Sequence, residues 1–261
     1  MKQSKFQFRA ASAFIVIIIV CGTNILDAYA KLSKHVYLKA QFLSLKEFDS
    51  HGNQTREESG GLLGIGYKLI PEQDSSSICG DGELYLGVVG YDGQSQNGES
   101  FKDKNKYTGL NLNGNINLFL CNLFSEERSL MAIGGLGVNS WIRSINLIHT
   151  EYGYREIWTN FYGRAGLGLY LTKNVYLSGG AKVPFWTSKH IGDFDIELNP
   201  RGRTGAFFET SVMVSHFSLY LFYESNRFKK SYVKTQTVYQ YYGWQPESKG
   251  RVIGFSLRSR F

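Results

Sequence analysis

Proline and cysteine are scarce in this chain: of 261 residues only four are proline and three are cysteine. Proline cannot donate to a strand ladder, so its scarcity leaves long stretches open to continuous pairing. Three cysteines are too few for a small fold stapled by disulfides. Past residue 30 no apolar run reaches the ~20 residues that a membrane-crossing helix needs. Clustered basic charge is missing as well. The 29 Lys and Arg residues are dispersed, which argues against a nucleic-acid surface. No glycine, histidine or cysteine spacing matches a cofactor or metal fingerprint, so neither is expected. What is plentiful is glycine, at 29 residues, and aromatic side chains, with 17 Tyr and 18 Phe.

The first thirty residues read apart from the rest. Lys2, Lys5 and Arg9 form a basic start, and Ala13 to Cys21 (AFIVIIIVC) forms a short apolar core. Ala28-Tyr29-Ala30 then supplies the small-x-small cleavage site of a secretory signal. Cys21 is not a lipidation site on this reading, because Val20 stands where a small residue is needed. The expected division is a cleaved signal at 1–30 and a single domain at 31–261 beginning at Lys31. Removing three cations and Asp27 takes the formal charge from +7 to +5.

In the remainder, apolar and polar residues alternate with period two, the pattern of strands with one apolar and one polar face. Leu110, Leu112, Ile116, Leu118 and Leu120 alternate with Asn111, Asn113, Asn115 and Asn117. Asparagine is disfavoured in ordinary strands, and four on one face suit a wetted wall where amides bond water and one another. The pattern recurs about ten times. The strands expected are His35 to Phe48, Gly60 to Ile70, Glu83 to Tyr91, the Leu110 to Leu120 stretch, Leu130 to Arg143, Ile157 to Leu171, Val175 to Trp186, Arg203 to Val214, Phe217 to Asn226, and Arg251 to Phe261. Long connections are expected near 49–59, 92–106, 144–156, 187–202 and 227–250, with shorter turns between them. In the last strand Ile253, Phe255, Leu257 and Phe261 share one parity.

An export signal, recurring alternation and a closing strand ending in phenylalanine together resemble the Gram-negative outer-membrane β-barrel. The resemblance implies an all-β, antiparallel, up-and-down transmembrane barrel of about ten strands, with eight as the alternative. It implies residence in the cell outer membrane, and contact with outer-membrane lipid, lipopolysaccharide and the barrel-assembly machinery. The closing strand of that class typically ends in an aromatic residue recognised during assembly, a role that falls to Phe255, Leu257 and Phe261. Ser259 departs from the pattern, where such strands carry another apolar residue.

Several groups are candidates for chemistry. Arg164, Lys182, Glu209 and Glu224 fall at similar depth on the inward parity of four consecutive strands, facing Gln41, Gly64, Asn113 and Gly137. Two readings of this layer stand: charge-balanced packing in a narrow interior, or a selectivity constriction. His216-Phe217-Ser218 resembles the His-x-Ser of an outer-membrane lipid A deacylase, with Glu224 as acidic partner. His216 falls in a periplasmic turn, however, and Glu224 lies about 25 Å up the strand. His190 with Asp193 and Asp195 resembles half of an omptin-type protease site. A calcium loop formed by Asp193, Asp195 and Glu197 is its rival, and so is a plain solvated loop. Lys229, Lys230, Tyr241, Tyr242 and Trp244 mark the last long connection as a binding loop or as part of an interfacial aromatic girdle. Cys79 and Cys121, in an oxidising compartment, are expected to form a disulfide. The leading function is a non-enzymatic surface protein that presents loops for recognition over a largely filled lumen. A narrow channel for small, anionic solutes is the runner-up, and a lipid- or peptide-hydrolysing barrel enzyme ranks below it.

Overall fold

The period-two alternation becomes fourteen strands, with no helix among the described residues. The computed structural model describes residues 32–71, 76–94, 100–123, 128–145, 154–192, 196–232 and 244–260. Seven long strands come first: β1 (Leu32–Phe48), β2 (Gln54–Pro71), β3 (Ser76–Gln94), β4 (Ser100–Asn122), β5 (Ser129–Ile145), β6 (Tyr154–Thr172) and β7 (Val175–Ile191). Two short segments, β8 (Ile196–Leu198) and β9 (Gly202–Arg203), lead to β10 (Gly205–Val214) and β11 (Phe217–Phe228). A two-residue pair, β12 (Ser231–Tyr232) with β13 (Trp244–Gln245), precedes β14 (Glu247–Arg260). β1 to β7 pair in sequence, β7 joins β10, β10 joins β11, and β14 lies between β11 and β1. Ten antiparallel strands thus close into a barrel, which removes exposed sheet edges and sets aside the eight-strand alternative.

β1 begins and β14 ends at the same end of the barrel, called here the terminus end, since His35 pairs with Arg260 across the β1–β14 seam. At that end β10 passes to β11 through Ser215-His216, with Ser215 at φ 56°, the left-handed conformation that two-residue turns of this kind require. The other end, where the longer connections lie, is here called the loop end. Several strands run further toward it than the hydropathy pattern indicates: β2 begins at Gln54, β3 reaches Gln94 and β7 reaches Ile191. The expected loops at 49–59, 92–106 and 187–202 are therefore more than half strand, and the one at 144–156 is strand at 144–145 and 154–156. Their polar residues read as loop, but a ladder needs only backbone groups once the strand has passed beyond its apolar belt.

That belt is the outer wall. Leu38 and Phe42 on β1, Leu63 and Ile65 on β2, Leu84 and Leu86 on β3, Leu219 and Leu221 on β11, and Ile253, Phe255 and Leu257 on β14 are all exposed. A continuous apolar surface of this extent is unsuited to water and suited to hydrocarbon, where a closed barrel also satisfies every backbone group.

The inner wall fits large rings over glycines. Tyr37 faces Gly66, Tyr85 faces Gly109 and Tyr162 faces Gly137 as direct cross-strand partners. A Cβ on Gly66 would come 2.2 Å from Tyr37 Cζ, and one on Gly137 would come 2.6 Å from Tyr162 Cζ. β7 adds an irregularity with consequences. Phe161 pairs with Trp186 and Tyr162 with Pro184, so Phe185 is an extra residue in a bulge. A bulge is where a proline without an N–H is tolerated. Below it Ser178 and Lys182 are buried, and above it Thr187 and Lys189, so the inward parity changes.

Candidate functional site

The inward side chains build two ionic layers. In the middle of the lumen, Arg164 Nη2 donates to Glu209 Oε1 at 2.5 Å and Lys182 Nζ donates to Glu224 Oε2 at 2.7 Å. A third pair, Lys39 with Glu83 at 2.7 Å, completes the layer from β1 and β3. Each cation also lies over an aromatic ring: Lys182 is 3.9 Å from the Tyr162 centroid, Arg164 4.0 Å from Phe207 and Lys39 4.1 Å from Phe222. The structure thus brings the four charged residues singled out in the sequence together as two pairs on β6, β7, β10 and β11.

The asparagines of β4 face the same space. Asn113 donates to Asp81 at 2.9 Å and accepts from the Tyr162 hydroxyl at 2.5 Å. Asn117 donates to Ser77 at 3.3 Å, Asn115 is buried, and Asn111 lines the cavity. A cavity of about 140 Å³ remains among these groups.

Toward the loop end lies a second layer that the sequence reading missed. Arg143 on β5 is fully buried and bridges two carboxylates: Nη1 donates to Glu58 Oε1 at 2.7 Å, and Nε donates to Glu156 Oε2 at 2.8 Å. Lys189 Nζ lies 2.6 Å from the other Glu156 oxygen and donates to Gln245 Oε1 at 2.7 Å. Gln245, itself fully buried, donates onward to Glu47 Oε1 at 3.2 Å and Ser248 Oγ at 3.0 Å. Arg56 approaches Glu47 at 3.1 Å, Asn105 donates to Glu58 at 3.0 Å, and Tyr107 donates to the other Glu58 oxygen. Trp158 donates to Glu156 at 3.1 Å and stacks on Trp141 with centroids 5.3 Å apart. Three carboxylates and three cations therefore form one connected network across the loop end of the barrel.

This network stands beyond the apolar belt, since Phe161 is the exposed ring of β6 nearest the loop end and Glu156 lies five residues further on. Burial alone would raise the Glu156 carboxyl, but Arg143, Lys189 and Arg56 around it reverse that and hold it well below the usual carboxylate range. On Arg143 burial opposes the charge, and Glu156 and Glu58 overcome it and raise its pKa well above the ordinary value.

A sequence signal for this layer existed. Glu156, Trp158, Asn160, Tyr162 and Arg164 share one parity on β6, so continuing the strand past Ile157 would have placed Glu156 inward. Lys189 was hidden by the bulge at Phe185, which moves the inward face to odd residues.

The other singled-out residues do not assemble with these. Lys229 and Lys230 are exposed just past β11, and the Trp244 backbone pairs with Tyr232. Tyr241, Tyr242, Asp193, Asp195 and Phe261 lie outside the described residues. His190 sits on the outward parity of β7, beside the inward Lys189. His216 is in the terminus-end turn, and Glu224 is bound by Lys182, so the His-x-Ser reading has no acidic partner there. Phe255 and Leu257 face outward on the closing strand.

The expected disulfide is corrected. Cys79 and Cys121 are both free, Cys79 buried and Cys121 exposed. Cys79 pairs with Asn115, six positions from Cys121 on β4. At strand rise that separation is about 20 Å, whereas a bridge needs Cα atoms within about 7 Å.

No family model matches the chain, and no curated protein matches it by sequence. Solved structures do match in shape. The outer-membrane protease OmpT from Escherichia coli aligns at a TM-score of 0.50 with 11% identity, over 88% of this chain and 97% of that one. An outer-membrane channel from Pseudomonas putida F1 aligns at 0.43 with 9% identity, over 89% and 96%. The translocator domain of the autotransporter NalP from Neisseria meningitidis aligns at 0.42 with 8% identity, over 98% of both chains. At such identities the likeness concerns architecture: the chain has the fold of the bacterial outer-membrane β-barrels.

Proposed function

We propose that this chain is an integral outer-membrane protein with a closed lumen and no enzymatic activity, and that it acts through the surface at its loop end. The observation that carries this reading is the buried Arg143, held between Glu58 and Glu156 and backed by Lys189 and Gln245. A solute path would have to break a network in which Arg143, Glu58 and Glu156 are each 1% exposed or less. Deeper in, Arg164 and Lys182 are each matched by a carboxylate, so neither is a free cation for selecting anions. The channel reading is therefore the weaker one.

On the same reading, residues 1–30 are removed on export, 31–261 form the barrel, and the loop end faces outward with Lys229, Lys230, Tyr241, Tyr242 and Trp244 near its ligand. The outer wall meets membrane lipid, and the assembly machinery receives the closing strand.

The test is ion conductance of the folded barrel, without residues 1–30, in a planar bilayer. Silence is expected from the unaltered protein, with stepwise current in an Arg143→Ala/Glu156→Ala double variant. Steady openings from the unaltered protein would overturn the closed-lumen reading.

A further inference from the structure

The barrel wall has a dent, and its chemistry is that of a lipid phosphate site. β10 pairs with β7 only up to Lys182, and β8 takes up the pairing only from Lys189. Between them, from Val183 to Ser188, the backbone groups of β7 that point away from β6 have no ladder partner. The chain between β8 and β10 passes beside this stretch, with Gly202 against Pro184, but its β9 segment makes its ladder with Arg227 and Phe228 of β11. Leu198 and Pro200 are packed fully out of solvent as it does so. An open groove of about 770 Å³ is left on the outer wall.

The two sides of the groove differ. Its apolar side is Val183, Phe185 and Trp186, exposed by 46%, 64% and 47%. The bulge is what turns both Phe185 and Trp186 outward, and Phe161 supports them, with centroids 6.4 Å from Phe185 and 5.3 Å from Trp186. These are the last exposed apolar residues of β7 before the loop end, so they mark the upper rim of the hydrocarbon-facing belt. Its polar side is Arg201, Arg203 and Lys229. Arg203 is held by Glu247 at 3.3 Å. Arg201 and Lys229 have no acidic partner among the described residues, and they are fixed side by side because Lys229 N donates to Arg201 O at 2.8 Å.

We infer that this groove binds an anionic, acylated lipid of the outer leaflet, with a phosphate between Arg201 and Lys229 and an acyl chain along Phe185 and Trp186. The inference rests on the outer-membrane reading. Cations immediately above an aromatic, apolar strip match an amphiphile whose charge sits immediately above its chains. Guanidinium groups suit phosphate because they offer planar paired donors.

The test uses the folded barrel in detergent micelles and a bisphosphorylated, acylated glucosamine disaccharide as probe. Binding is counted by native mass spectrometry beside the same lipid with its phosphates removed. The phosphorylated lipid is expected to bind about tenfold more tightly, and Arg201→Ala/Lys229→Ala to erase that preference. Lys104→Ala, which removes an exposed cation on β4, is expected to keep it. Both altered cations are exposed and Lys229 makes its described contact through backbone, so the double variant is expected to fold. Equal binding of the two lipids, or equal loss in the Lys104 variant, would overturn the inference. A silent barrel that shows no phosphate preference removes this site and leaves the closed-lumen reading standing. A conducting barrel that keeps the preference does the reverse.

Discussion

Arg143 is the residue on which the loop-end network depends. Removing a single member of a buried charge pair costs about 3–5 kcal/mol, because the partner stays buried without compensation. Arg143→Met leaves both Glu58 and Glu156 in that state. Urea unfolding in lipid vesicles should show a loss of at least that size, and adding Glu58→Gln should recover part of it. The acid dependence follows from Glu156. Its folded pKa lies below its ordinary 4.5, so the stability it contributes is complete above that value and is lost as pH falls below it. Unfolding midpoints should be flat from neutral down to about pH 5 and decline below about pH 4, and the decline should shrink in Glu156→Gln. Little of this was legible beforehand: a lone Arg143 at a strand end and a Glu156 in an apparent loop carry no mark of partnership. Arg164, Lys182, Glu209 and Glu224 were legible because they sit inside clean alternation. The cysteines were misjudged for a related reason, since compartment and count said nothing of register. With both thiols free, intact mass should not change on reduction, and a bulky maleimide should modify exposed Cys121 before buried Cys79.

At the scale of single strands, the tyrosine rings need the glycines opposite them. Gly137→Val would drive a side chain into Tyr162 and Asn113, whose Oδ1 would lie 2.5 Å from the new Cβ. The expected loss is about 1–3 kcal/mol, read as a lower melting temperature of the unheated band on gels. Gly114→Val, at an outward position with open space around it, is the matched control and should cost much less. Strand identity and the facing of Leu63, Phe208 and Leu219 were readable from period two alone. Strand ends were not, because beyond the belt both faces are polar and the period disappears from the composition while the ladder continues. The bulge at Phe185 was invisible for another reason: the expected strand ran straight through Pro184 to Trp186, where the structure has a change of phase within β7.

For the whole molecule, ten strands closing end to end give a barrel whose buried ion pairs lie inside and whose apolar belt lies outside. Material recovered from the outer membrane should begin at Lys31, which N-terminal sequencing would establish. The number of strands and the return of the last strand to the end where the first begins were legible, since the hairpin rhythm counts itself. A largely filled lumen was expected, but the loop-end network was not, because it depends on side chains drawn from strands far apart in the chain. The bond from Gln245 to Glu47 joins residues 198 positions apart, from β13, just ahead of β14, to the end of β1. That distance gives the network a place in time. Until the final strand docks, Lys189 and Glu47 have no bridge, water reaches the ions from the open side, and the half-built sheet holds hydrated charge. Docking of the last strand is thereby also what ties the first strand into the network.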